Sequence, residues 1–186
     1  RVSDARTEFS STVNTVSPNT FTIRGALSFQ AGDNPVSTSQ WVVGTVVTIN
    51  WHSTGTGAIP NVKIFFSQSG NFLLDGEEID SAVTKTNGQN GTCTPPPDVG
   101  ALKGGCYETV VLDRISTTAK VRIQHASDST VVVDSALFAV KGKLTVTNPV
   151  STSVWDVDSS QTITWTKTGT IATVNLYYST NDFVTA

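Results

Sequence analysis

The 186 residues contain no methionine, only two cysteines and only two histidines. Charged residues make up 15% of the chain, well below the usual quarter. Lys and Arg number 12 against 15 Asp and Glu, a net charge of −3. Each scarcity removes a class. Without a basic face there is no electrostatic footprint for nucleic acid. No apolar run approaches the ~18 residues of a membrane span. With two Cys and no nearby His pair, a tetrahedral metal shell cannot be filled. No Gly-x-Ser-x-Gly elbow, Gly-x-Gly-x-x-Gly after a strand, or P-loop occurs, and His52 and His125 belong to no catalytic motif. No cluster of reactive groups stands out, so the expectation is a non-enzyme without a cofactor.

What is present is Thr, Ser and Val, a strand-favouring composition, and a sequence that repeats itself. "NPVSTSQW" from Asn34 returns as "NPVSTSVW" from Asn148, "FTIRGALSF" from Phe21 as "FAVKGKLTV" from Phe138. "WVVGTVVTINWHSTGT" from Trp41 returns as "WDVDSSQTITWTKTGT" from Trp155, and "NVKIFFS" from Asn61 as "TVNLYYS" from Thr173. "RVSDA" at Arg1 resembles "RIQHA" at Arg122. The register divides the chain into three: residues 1–25 as the C-terminal strands of one repeat, 26–142 as a complete repeat, and 143–186 as the N-terminal half of another.

Within each copy the hydrophobic period is two, the mark of a half-buried strand. Val47, Ile49 and Trp51 alternate with Thr48 and Asn50. Val62, Ile64 and Phe66 share one face, as do Val121 and Ile123, and Phe138 begins a closing strand. Ile163, Trp165 and Leu176 hold the corresponding core positions of the next copy. About seven short strands separated by Gly, Pro, Asn and Ser predict an all-β fold, an immunoglobulin-like antiparallel β-sandwich in tandem repeats. The 44 residues from Lys143 to Ala186 supply too few strands to cover their own apolar face. The expectation is that further sequence covers them, the alternative being strands donated by another copy.

Trp41, Gly44, Ile49 and Trp51, with the "KIFFS" strand, the "STTAKVRI" strand from Ser116 and the closing "FAVKG", resemble a known group. They look like the immunoglobulin-like repeats related to the N-terminal domain of fungal cell-wall (Kre9/Knh-like) glucan-assembly proteins, similar modules of which recur in large bacterial surface proteins. Asp158 replaces the glycine in the second copy, and the stretch between Cys93 and Cys106 looks like an insertion. The resemblance implies a secreted, tandem, non-catalytic surface module and identifies no ligand.

Several features carry two readings. Cys93 and Cys106 either close a small loop as a disulfide, implying an oxidising compartment, or remain free thiols; the disulfide is the main reading. Trp41 and Trp155 either pack at the sandwich end or stack against sugar, and packing is favoured. Phe65 and Tyr177 hold equivalent outward positions, as interface residues meeting a neighbouring module or as single exposed aromatics. Asp75, Glu77, Glu78 and Asp80 supply oxygens suited to Ca2+ but lack EF-hand spacing, so a turn is the better reading. "NGT" at Asn90 is a glycosylation sequon expected on a surface loop. The expected role is structural: a stalk, surface layer, filament or adhesin spacer, extracellular or at the cell surface. Its partners would be neighbouring repeats or copies of itself. The alternative is a carbohydrate-binding or cell-wall-assembly module that meets cell-wall glycan, accessory to a secreted hydrolase.

Overall fold

The computed structural model describes residues 2–3, 14–55, 59–79 and 85–180. Asp80 and most of residues 1–13 lie outside them. The described chain is all-β. Its only helix is one turn, α1 (Phe72–Asp75). The strands are β1 (Val2–Ser3), β2 (Asn14–Thr15), β3 (Ala26–Ser28), β4 (Gln40–Val42), β5 (Val46–Thr54), β6 (Asn61–Ser67), β7 (Glu77–Glu78), β8 (Lys85–Thr86) and β9 (Gln89–Asn90). β10 (Lys103–Val110), β11 (Ser116–His125), β12 (Val132–Asp134), β13 (Phe138–Lys141), β14 (Lys143–Asn148) and β15 (Thr164–Thr168) follow.

One sheet has the order β3-β5-β10-β9, and a second β4-β13-β11-β6-β7, with β12 on β11 and β8 on β6. Pairing is antiparallel except for β9 with β10 and β4 with β13. Between the sheets lies one core. Leu27, Ile49, Trp51 and Tyr107 enter it from the first sheet. Trp41, Val62, Ile64, Phe66, Val121, Ile123, Phe138 and Val140 enter it from the second. The alternation in "NVKIFFS" explains the second set: Val62, Ile64 and Phe66 point inward, while Lys63 and Phe65 are half-buried on the other face. Val47 sits at the core margin, partly buried and packed against the cluster.

Trp51 is fully buried and depends on two unlike neighbours. Its Nε1 donates to Asn87 Oδ1 at 2.9 Å, which satisfies the one polar group the ring carries. Opposite it in register stands Gly105, where a side chain would run into the ring. Gly104 and Gly105 read as part of a turn-rich loop in the sequence, yet both lie inside β10. Gly105 clears the indole on the inner face. Gly104 clears Pro96 on the outer face.

Residues 143–168 reproduce the local geometry of residues 26–54. Ala26 pairs with Thr54 and Leu27 with Ser53; Lys143 pairs with Thr168 and Leu144 with Lys167. Asn34 Nδ2 donates to Thr48 O, and Asn148 Nδ2 to Thr162 O. The Val36–Ser39 turn and the Val150–Ser153 turn make the same bond, backbone N to Ser Oγ, each at 3.0 Å. Gly44 (φ 80°) and Asp158 (φ 63°) share the left-handed region, which Asp tolerates better than most residues. A Cβ on Gly25 would meet Thr54 O and Ile59; one on Gly142 would meet Thr168 O and Ile171.

The expected core positions of the second copy differ from those of the first. Ile163, Trp165 and Leu176 are 39%, 38% and 58% exposed, where a buried position was expected. The cause is what faces them. Trp51 is covered by β10 and by the second sheet, and residues 143–180 contribute only the β14–β15 pair. Side chains of this size left in water each forfeit roughly 1.5–3 kcal/mol.

Candidate functional site

The most built feature outside the core is the loop between Cys93 and Cys106. The two cysteines form a disulfide. Cys106 pairs with Asn50 and Gly104 with His52, so the loop folds over the outer face of β5 and β10. This is why the alternation along β5 stops after Asn50: Trp51, His52 and Ser53 are all buried, because both faces of the strand are covered there.

His52 anchors the middle of the loop. Its Nδ1 lies 2.9 Å from Asp33 Oδ2 and its Nε2 3.2 Å from the carbonyl oxygen of Pro97. Both His52 and Asp33 are 3% exposed. Asp33 Oδ2 also accepts the Gln30 N–H at 2.7 Å. Burial by itself lowers the His52 pKa. The hydrogen bond to Asp33, the Pro97 carbonyl and the charges of Asp33 and Asp98 outweigh it, and the net direction is upward. An imidazolium donating from both nitrogens fits these two acceptors. At the loop end, Lys103 Nζ donates to Asp98 Oδ2 at 2.5 Å and Gly104 N to Asp98 Oδ1 at 3.2 Å. The Lys103 bond, with that N–H, holds the Asp98 carboxyl below its usual range. The arrangement fixes a loop. Both ring nitrogens of His52 are engaged in it.

Among the described residues the acidic run does not converge. Asp75 accepts from the Ser67 and Ser69 hydroxyls and the Ser69 N–H, and the Ser67 bond leads in lowering its pKa. Glu77 pairs with Arg114 at 3.2 Å and Glu78 with Lys63 at 3.8 Å. Among the described residues no group of three or more His, Cys, Asp or Glu is arranged to hold a metal ion. His125 serves a turn, its Nδ1 accepting the N–H groups of Ser127 and Asp128.

The aromatic candidates separate. Trp41 is buried with its ring centroid 4.4 Å from that of Phe138, so it offers no stacking face to solvent. Trp155 is 39% exposed and Tyr177 77% exposed. Phe65 lines a shallow depression with Phe72, Gly76, Arg122 and Gln124. There the Arg122 guanidinium lies 4.2 Å above the Phe72 ring and pairs with Asp134. Tyr177 lines a different one, beside Leu144, Val146, Trp165 and Leu176. The sequon was expected on a loop. Asn90 instead lies on β9, half-buried, its backbone in register with Tyr107, and Thr92 Oγ1 donates to Glu108 at 2.6 Å.

Asp33 and Asn87 escaped sequence reading. Asn87 bonds Trp51 Nε1, Ser53 Oγ and the Ile59 carbonyl at once. Nothing in its flanking residues signals that role. Among the described residues no helix is long and apolar enough to cross a membrane. No protein-family model matches the chain, and no curated protein matches it significantly.

Proposed function

We propose that the chain is a stretch of a secreted, tandem-repeat, immunoglobulin-like β-sandwich protein with a structural, non-catalytic role, acting as a spacer, stalk, layer or filament unit at the cell surface. One observation carries the reading. The Asn-Pro turn, the strand register and the glycine contact at the strand start recur from residues 26–54 to residues 143–168 with the same partners. A chain that rebuilds one frame in series makes length rather than a reaction centre. The disulfide supports an oxidising compartment. Only Gly142 separates β13 from β14, and so short a link restricts bending between successive units.

The test is imaging of the native protein. An antibody raised against the 186-residue chain should label intact cells and decorate a fibre or layer built of serial units. Label confined to the cytoplasm, or decoration of isolated single-unit particles, would refute the proposal. The exposed Trp155 keeps a carbohydrate-binding reading in view. Glycan binding lost on Trp155→Ala, with the fold intact, would favour that reading.

A further inference from the structure

The 26–142 unit meets the segment that follows at a hydrogen-bonded turn. β15 ends at Thr168, and Gly169 takes φ 86°. Thr170 then gives both of its donors to one carboxylate: its N–H to Asp113 Oδ1 at 3.0 Å and its hydroxyl to Asp113 Oδ2 at 2.5 Å. The turn sits flush on the unit. A Cβ on Gly169 would lie 3.2 Å from Asp113 Oδ1, 3.3 Å from Ile115 Cδ1 and 3.3 Å from Val43 Cγ2. A Cβ on Gly44 would lie 3.6 Å from Thr168 Cγ2.

The receiving side is itself held. Gly44 N donates to Val111 O, and Val111 N to Thr45 O, each at 2.9 Å, which ties the loop carrying Asp113 to the 43–45 turn. Two donors from one residue on the two oxygens of a fixed carboxylate restrict both the distance and the rotation of the incoming turn. A backbone link alone does not. Interfaces between domains of one chain allow motion unless they are large and apolar. Here Val43 and Ile115 pack beside the turn, and the two bonds to Asp113 fix its orientation.

Resting on the modular reading above, we infer that Val43, Gly44, Asp113 and Ile115 form a docking surface for the Thr-Gly-Thr turn of the following unit, and that Asp113 is the interlock that sets one orientation between consecutive units. The partner it fits is a turn with a glycine at positive φ followed by a residue donating both N–H and O–H. The 26–142 unit carries the same Thr-Gly-Thr sequence at positions 54–56, with Gly55 at φ 70°. A surface that accepts what its own kind presents is a heterologous contact, which propagates in one direction.

The test compares the 186-residue chain with its Asp113→Ala and Thr170→Val variants by residual dipolar couplings, fitted separately for amides of 26–142 and of 143–180. The unmodified chain should fit one alignment tensor. In either variant the order of the 143–180 set should drop at least two-fold relative to 26–142, and exchange of the residue-170 amide should quicken several-fold. Asp128→Ala is the control, since Asp128 accepts the Thr130 N–H and hydroxyl, both on Oδ1, within one turn; it should leave the tensor unchanged. Thr170→Val lies outside the 26–142 unit, so it stands even if Asp113→Ala disturbs folding. A common tensor of full magnitude in both variants, or two tensors in the unmodified chain, overturns the interlock. Neither result touches the proposed role, which fails separately if the antibody labels only the cytoplasm or isolated single-unit particles.

Discussion

Adding one methyl group at Gly105 should destabilise this molecule strongly. The Cβ would lie 2.5 Å from Trp51 Nε1 and 2.8 Å from Cζ2, and closer still to Cε2. Carbon atoms pack at about 3.5–4.0 Å, so roughly 1 Å must be found somewhere. The ring cannot give it easily, being fully buried and bonded to Asn87 at 2.9 Å. Nor can the backbone, since β10 pairs with β5 along its whole length and Cys106 is tied to Cys93. Overpacking of this kind costs about 1–3 kcal/mol. If the indole moves instead, Trp51 and Asn87 each lose a buried partner, another ~1–3 kcal/mol. The expected loss is therefore about 3 kcal/mol. With a urea slope of roughly 1–3 kcal/mol/M, the midpoint falls by roughly 1–3 M. Near-UV circular dichroism and tryptophan emission report it, because Trp51 and Trp41 are buried while Trp155 and Trp165 are 39% and 38% exposed. Gly104→Ala, one residue away, meets the Pro96 backbone carbonyl on the outer face and should displace the loop while leaving the Trp51 emission largely unchanged. Equal midpoints for Gly105→Ala and the unmodified chain would refute the placement of Trp51 between the sheets.

Asn87→Ala removes partners from Trp51 Nε1, Ser53 Oγ and the Ile59 carbonyl, and should cost about 1–3 kcal/mol by urea denaturation; an unchanged midpoint would count against the network. Replacing Cys93 and Cys106 together by Ser opens a loop of sequence separation 13, worth about 3 kcal/mol by chain entropy. The same loss should follow reduction of the unmodified protein, and indifference to reductant would refute it. His52 has its pKa raised in the folded state, so its bonds stabilise fully below its ordinary value of about 6.5 and less as pH rises through the folded value. Urea midpoints measured from about pH 5 to 9 should fall with pH in that window and lose this component in Asp33→Asn; a titration of the His52 ring at or below its ordinary value would overturn the assignment.

Period-two alternation was enough to orient the inner faces of β5, β6 and β11, because each of those strands has one dry side. It was not enough at His52, where a loop from 45 residues later covers the second side and makes a polar residue as buried as its apolar neighbour. Asn87 and Asp33 could not be read from their neighbours. Their roles exist only after β5 has brought Trp51, Ser53 and His52 to them. The same limit appears at Trp165. Its phase matches that of Trp51, and phase says which way a side chain faces; what then covers it belongs to strands distant in the chain. Gly104 and Gly105 misled for a related reason. Paired glycines favour turns, but here they answer two crowding demands, one on each face of an ordinary strand.

The frame and the loop obey different rules, and the difference explains the position of the buried ion pair. In the alignment of the two copies, Thr147 and Thr166 stand where Asp33 and His52 stand in the first. The second copy keeps the Asn-Pro turn and the register, yet Thr147 Oγ1 bonds Thr164 Oγ1 at 2.7 Å and no ion pair is formed there. The pair is therefore dispensable to the frame. What it serves is the loop: a disulfide fixes the two ends of the Cys93–Cys106 segment, and the Pro97 carbonyl between them takes a partner from β5. His52 supplies that partner, and Asp33 makes the imidazolium tolerable under a covered sheet. Loop and ion pair thus form one unit of structure laid on a frame that does without it. Neutralising Asp33 should loosen the loop even with the disulfide intact. Loop amide exchange that is unchanged in Asp33→Asn would show that the two are merely adjacent.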